Sequence, residues 1–390
     1  MQSSAADRAG TGTSLYVHVP FCVVKCGYCD FNSYVVEDRS VHDRFLDALD
    51  AELRREWHFG APVSVFVGGG TPSLLEPARL ARLFEVLGRH VDLAACDEVT
   101  MEANPESLTE AKAAIARAGG ASRLSIGVQT FHAHHLRFLD RAHSAERAEA
   151  AVAEARRAGF TNLSVDLMFG IPGETANEWS SDLERALALQ PDHLSCYNLT
   201  FEPGTRLHRD LQRGQVSPNE QEVDRDQFLA TRARLAAAGF HAYEISNFAG
   251  RGGPCRHNDH YWLQGDYVGV GPGAASHRAG VRTTNLKAVE AWADAALAGQ
   301  PCAASAETLW PMQRAAEAVW LGIRRTDGVD LGAIGARLAV PAVQQFTATV
   351  ARHERAGWVA RAGDRIRLTD AGLLLADRVG GDYLAPGAVG

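Results

Sequence analysis

The sequence contains no uninterrupted run of about 18 apolar residues, the length needed to cross a bilayer, so no integral membrane segment is expected and only peripheral membrane contact is left open. Its opening, Met1-Gln-Ser-Ser-Ala-Ala-Asp-Arg, lacks the apolar core of a secretory signal, and a cytoplasmic location is the expectation. Positive charge is also scarce: 39 Lys plus Arg stand against 47 Asp plus Glu, a formal net charge of -8. That balance gives no broad attraction to nucleic acid, and none is expected as a partner. Cysteines number seven, an odd count, and Cys96, Cys196, Cys255 and Cys302 are scattered, which argues against a disulfide framework. Internal repeats and low-complexity tracts are absent beyond the alternation described next. What remains, 46% apolar and 22% charged, is ordinary globular composition, and 390 residues suffice for one large domain with a smaller one beside it.

After a polar tail over residues 1–14, expected to be disordered, short β-branched runs alternate with helical stretches, the pattern of repeated βα units on a parallel sheet. Strands are expected at Leu15–Pro20, Val63–Val67, Glu98–Glu102, Arg123–Val128, Asn162–Leu167 and His193–Asn198. Helices are expected at Asp43–Trp57, Ala78–Leu87, Leu108–Ala118, Ala145–Ala158 and Glu178–Ala188, each with apolar residues at three and four spacing. Six such units fit an open, partial (β/α)6 barrel over residues 15–245 better than a closed eight-unit one. A helix at Asn219–Ala238 and a strand at His241–Ser246 lead into a stretch, Asn247–His277, dense in Gly, Pro, His and aromatics. That stretch and a helix at Leu286–Leu297 form an accessory region over residues 246–305. From Leu309 to Tyr383 the chain shows three helical segments and then two short strands around Gly363-Asp364, a winged-helix-like α+β domain over residues 306–385. Its third helix, about Val340–Gly357, carries few basic residues, which again argues against DNA.

The densest chemistry lies in Cys22-Val-Val-Lys-Cys26-Gly-Tyr-Cys29. Thiolates are preferred ligands of iron–sulfur clusters and zinc, and three at C-x3-C-x2-C are one fewer than a [4Fe-4S] cube takes. One iron would stay open to an outside ligand. A zinc site short of one ligand, or plain buried cysteines, are the other readings. The working residues of a βα barrel sit at the C-terminal ends of its strands. Strand one runs into the cysteines, and strand two ends in Gly68-Gly69-Gly70-Thr71-Pro72, where the backbone can approach a ligand or make a tight exit turn. Glu102 and Asn104, Gln129, and Asp166 mark the next three exits. A carboxylate on a buried strand needs a partner, either a ligand or neighbouring protein groups.

Together, Tyr16-Val-His-Val-Pro-Phe-Cys22-x3-Cys26-x2-Cys29, Gly68-Gly-Gly-Thr-Pro, Glu102-x-Asn-Pro, Ser125-Ile-Gly-Val-Gln129-Thr-Phe, Arg141-Ala-His143 and Asp166-Leu-Met-Phe-Gly-Ile-Pro-Gly resemble the oxygen-independent coproporphyrinogen III dehydrogenase family of radical S-adenosylmethionine (SAM) proteins. The resemblance runs from Tyr16 into the C-terminal domain. It implies that Cys22, Cys26 and Cys29 hold a [4Fe-4S] cluster and that Tyr16, Gly69, Gly70, Thr71, Glu102, Gln129, Arg141 and Asp166 contact SAM. The family contains porphyrinogen dehydrogenases and a haem-chaperone branch. The dehydrogenases carry a fourth cysteine two residues after the third, where this chain has Phe31, and a longer segment before the Tyr-x-His motif, where only 15 residues precede Tyr16. His257-Asn258-Asp-His260-Tyr261-Trp262 matches the H-N-x-x-Y-W motif of the chaperone branch. The resemblance then implies haem as a further ligand and a haem-accepting partner protein, respiratory proteins included. His257 is the expected axial ligand, with Asn258 and Tyr261 on the propionates and Trp262 on the porphyrin face. His260 is the fallback ligand, and Cys255 a weaker one because the C-x-x-C-H attachment signal is missing. Oxidative decarboxylation of coproporphyrinogen III is the alternative function.

Two other features carry less. His132, His134 and His135 follow the Gln129 exit, but no carboxylate or cysteine pattern stands beside them, and a solvated helix start is expected there. Gly269-Val-Gly-Pro-Gly273 lacks the strand-helix context of a phosphate loop and reads as tight packing.

Overall fold

A computed structural model of the protein describes residues 12–384. The expected tail therefore lies outside the described residues except for its last three, and Thr13 and Ser14 already belong to the first strand. Among the described residues, the backbone forms one twelve-stranded sheet and one three-stranded sheet. The six strands expected of the barrel are present: β1 (Thr13–Val19), β2 (Ser64–Gly69), β3 (Glu98–Ala103), β4 (Arg123–Gln129), β5 (Leu163–Phe169) and β6 (His193–Asn198), neighbours in chain order and all parallel. They are parallel because each crossover carries a helix: α1 (Ser40–Glu56), α2 (Pro77–His90), α3 (Glu110–Ala118), then α4 (Ala133–Phe138) with α5 (Ala145–Arg157), and α6 (Ala176–Ala188). Helix starts follow their caps. Thr109, Ser144 and Thr175 each accept a backbone N–H at the first turn, and Thr175 with Glu178 closes a capping box.

The strands alternate: Leu15, Val17, Val65, Val67, Leu124, Ile126, Val165 and Leu167, on one face, are fully buried, while Tyr16, His18, Ser125, Gly127 and Asp166, on the other, line the cavities. Each of these buried apolar side chains stabilises the fold by roughly 1.5–3 kcal/mol relative to exposure.

The stretch after β6 departs from the expectation. Beyond α7 (Arg206–Gln212) and α8 (Gln221–Ala237), the single strand expected at His241–Ser246 is two short antiparallel ones, β7 (His241–Ala242) and β8 (Asn247–Ala249), with β8 against β6. The Gly- and aromatic-rich stretch then holds a helix, α9 (Arg256–Trp262), and a strand, β9 (Asp266–Val270), parallel to β1 on its outer side. Strands β10 (Ala275–Arg278), β11 (Val281–Asn285) and β12 (Ala303–Thr308) extend that edge antiparallel, with α10 (Val289–Leu297) between the last two. The Gly269–Gly273 run packs as expected: Gly269 lies against the Ala275 backbone, and Gly271 donates its N–H to Glu52 at 2.7 Å.

The last domain has its own core, built on Val319, Phe346, Val350, Ile366 and Tyr383. Its order is α11 (Pro311–Gly322), β13 (Val329–Asp330), α12 (Leu331–Leu338), α13 (Ala342–Arg355), the hairpin β14 (Val359–Ala362) and β15 (Arg365–Leu368), α14 (Asp370–Leu373) and α15 (Ala376–Leu384). This is the winged-helix arrangement with β13 added to the hairpin sheet. On α13, Arg352 and buried His353 are both spent on Asp382. Among the described residues, no helix is long and apolar enough to cross a membrane.

Candidate functional site: two adjoining cavities at the strand exits

The cysteine loop is held from three sides. Its ends are closed where Cys22 N–H donates to Tyr34 O (3.0 Å) and Tyr34 N–H to Pro20 O (2.7 Å). In its middle, Gly27 donates to Leu139 O at the end of α4 and accepts from Leu207 in α7. All three cysteines are free and partly exposed, and they share the wall of a cavity of about 410 Å³. Gly69, Gly70, Thr71, Glu102, Gln129, Arg141 and Asp166 line the same cavity, so residues from five strand exits converge as expected.

Each has a definite anchor. Gly69 takes φ +102°, and a Cβ there would strike the His18 ring, so only glycine fits. The N–H groups of this glycine turn are already used: Gly69 donates to Glu102 Oε2 (3.0 Å), Gly70 to Val19 O (2.8 Å) and Thr71 to Phe21 O (2.7 Å). The tight exit turn and the ligand wall are thus the same structure. Gln129 sits at φ +67° beside a register shift in the β4–β5 ladder. Asp166 accepts from Ser125 Oγ (2.8 Å) and Ser164 Oγ (2.9 Å), which fixes the orientation of its side chain. Asn104 links two other site residues, donating to Thr71 Oγ1 (3.0 Å) and accepting from Arg141 (2.9 Å). Sequence reasoning gave Asn104 no role, although it stands in the Glu-x-Asn-Pro motif.

The donor set fits a metal–sulfur cluster. Burial pushes the Cys22 thiol up and that of Cys29 to about 11, so both stay protonated until a bound metal displaces the proton. Thr71 Oγ1 donates to Cys22 Sγ (3.5 Å) and Arg141 to Cys26 Sγ (3.7 Å), contacts that stabilise thiolates. Arg141 Nε is buried with no hydrogen-bond partner, a donor left for a ligand anion. Burial raises Glu102 to about 7, which leaves it poised to ionise against a ligand cation.

Tyr16 is not in this cavity. It lines a second one of about 710 Å³, which shares Asp30, Phe31, Ser33, Phe66, Gly69, Glu102 and Asn258 with the first. Tyr16 donates to His18 Nδ1 (2.9 Å), because His18 Nε2 must donate to Asn32 O (2.8 Å). Phe66 stacks between Tyr16 (6.3 Å between centroids) and His257 (5.1 Å). Helix α9 delivers His257, Asn258 and Tyr261 to this wall.

Trp262 goes elsewhere. It stands five residues after His257, about 140° further round the helix, and lies under the Arg324 guanidinium (5.3 Å) of the C-terminal domain. His257 and Tyr261, four apart, share one face. His260 is buried and committed, its Nε2 donating to Asp266 O at 2.8 Å. Cys255 Sγ donates to Glu98 Oε1 (3.4 Å) and lines neither cavity.

His257 is 1% exposed. Its Nδ1 is 2.9 Å from Ser64 Oγ, which in turn lies 2.9 Å from Ser14 Oγ, while its Nε2 is buried with no hydrogen-bond partner. Burial, then nearby His260, lowers its pKa to about 3, so the ring is neutral.

A family model described as the radical SAM superfamily matches residues 16–186, and one described as the HemN C-terminal domain matches residues 309–375. Heme chaperone HemW of Mycobacterium tuberculosis (strain H37Rv) is 39% identical over 385 residues, covering 96% of this chain and 95% of its own. Heme chaperone HemW of Bacillus subtilis (strain 168) is 34% identical over 376 residues, covering 95% and 99%. The chain belongs to the HemW family. Its fold is also that of the radical SAM coproporphyrinogen III oxidase HemN from Escherichia coli, with a TM-score of 0.83 at 24% identity, covering 97% of this chain and 92% of that one. As a radical SAM protein, this HemW-family chain carries a [4Fe-4S] cluster with SAM, and when bound the pair supplies one-electron chemistry.

Phe31, in place of the fourth cysteine, is 58% exposed and lies on the wall common to both cavities. Sequence reasoning also missed Lys25, Lys287 and Tyr267 on the second wall. The chain has only 3 lysines, and two of them stand here, a signal visible in composition.

Proposed function

We propose that this chain binds haem in the larger cavity, beside its SAM-liganded cluster, and passes it to an acceptor protein. The observation that carries the reading is His257: a neutral, buried imidazole whose Nε2 has no protein partner, on the wall of a cavity of about 710 Å³. An unpartnered buried nitrogen is costly, and ligation to haem iron would satisfy it. In the tautomer in which Ser64 Oγ accepts the Nδ1–H, the Nε2 lone pair is left for iron. Asn258, Tyr261, Lys25 and Lys287 are the polar groups offered to the propionates. Relatives named as heme chaperones cover this chain nearly end to end, which supports the same reading.

Haem handling and porphyrinogen oxidation are separable by experiment. Anaerobically reconstituted protein is given coproporphyrinogen III, SAM and a reductant, and in parallel is titrated with haem. The reading expects stoichiometric haem binding and transfer to an apo-acceptor. Robust protoporphyrinogen formation would sink it and restore the dehydrogenase reading.

A further inference from the structure

The histidines at 132, 134 and 135 were expected to be a solvated helix start because no carboxylate stands near them in sequence. The fold supplies one. The first turn of α6 places Glu178 Oε1 at 3.1 Å from His134 Nε2 and Oε2 at 3.7 Å from His135 Nε2. One ligating atom from each residue falls in a group whose members all lie within 4.8 Å of one another. A tetrahedral metal with bonds of about 2.0–2.1 Å sets its ligand atoms roughly 3.3 Å apart, so side-chain rotation closes this triad without moving the backbone.

A second observation points to a ligand. The His135 side chain is 3% exposed, and its Nε2 is buried with no hydrogen-bond partner. Glu178 is already oriented: Oε2 accepts the Thr175 N–H (2.9 Å) and the Thr175 hydroxyl (2.8 Å), leaving Oε1 turned to His134. His134 is exposed and opens the site to solvent. His132 takes no part, since its Nε2 donates to Glu178 O at 3.1 Å.

We propose that His134, His135 and Glu178 bind one divalent transition-metal ion, of which zinc best suits two imidazoles and a carboxylate, with water in the fourth position. The ion would pin α4 to α6. Because Leu139 O at the end of α4 accepts the Gly27 N–H between Cys26 and Cys29, and Leu136 O accepts the Arg141 N–H, that pin would brace the cluster loop.

The test uses the full chain with its cluster assembled, so that the three cysteines are occupied, titrated anaerobically with Co²⁺ and then challenged with Zn²⁺. One equivalent of cobalt should give the ligand-field bands of nitrogen and oxygen ligation, and zinc should displace it. His134→Ala, a change at an exposed side chain, should weaken cobalt binding by roughly tenfold or more. Glu178→Gln should do the same with only a modest fall in Tm, because the amide oxygen still accepts the Thr175 bonds although their charge assistance is lost. The proposal is overturned if no ligand-field bands appear, if both variants titrate like the parent, or if thiolate-to-cobalt charge transfer places the metal on the cysteines.

Discussion

The two cavities share a wall but are built in opposite ways. The cluster cavity is assembled from the exits of consecutive parallel strands, and its polar groups are held by one another, Glu102 by Gly69, Thr71 by Asn104, Asn104 by Arg141, Asp166 by two serines, with Arg141 Nε left for the ligand. The larger cavity takes its distinctive wall from one short helix, α9, wedged between the barrel and the C-terminal domain. There the ligand atom of interest, His257 Nε2, is left unpartnered. A network of satisfied groups preorganises a cofactor that stays. A single unpartnered nitrogen among aromatic rings suits a cargo that arrives and leaves.

If the two regions are independent, breaking one must spare the other. The largest effect is expected from changing Cys22, Cys26 and Cys29 to serine, which should abolish cluster iron and sulfide while the haem titration survives. Iron and sulfide analysis beside the Soret titration checks both halves. Next, Gly69→Ala forces a left-handed backbone and a clash with His18. It should cost about 1–3 kcal/mol of stability, seen as a lower Tm, together with loss of SAM binding.

Glu102 tests the shared wall by pH. Its folded pKa, raised by burial to about 7, lies above the ordinary carboxylate value. Its contribution to stability without ligand is therefore fully present at low pH and lost as pH rises through about 7. Charge-assisted SAM binding should run the other way, strengthening over the same interval. Glu102→Gln should flatten both profiles in melting and equilibrium-binding series. The smallest effect belongs to Trp262→Phe. With its ring under Arg324, the change should cost about 0.5–1 kcal/mol of stability and leave haem binding unaltered.

The same contrast governs how much was legible in the sequence. The six parallel strands fell within a residue or two of their expected ends, because each alternates apolar residues with polar or small ones and ends in a chemically distinctive exit. The residues that line the cluster cavity are legible for that reason, and Tyr16, on β1, lines the adjoining cavity, which shares Gly69 and Glu102 with the first. Strands β9 to β12 were missed. They are short, at four to six residues each, β11 and β12 are mostly polar or small, and β9 finds its partner in β1, some 250 residues earlier in the chain. Trp262 was expected beside His257 because the motif is contiguous on paper, whereas helical geometry sends it to another face. Glu178 escaped notice beside His134 and His135 because the pairing crosses from α4 to α6.

The central claim rests on one nitrogen. Cluster-loaded protein and its His257→Ala variant, titrated anaerobically with haem and followed by the Soret band, test it directly. The account predicts a shifted Soret maximum or markedly weaker binding in the variant, with cluster content unchanged. Superimposable titrations would contradict it and move the iron ligand away from α9.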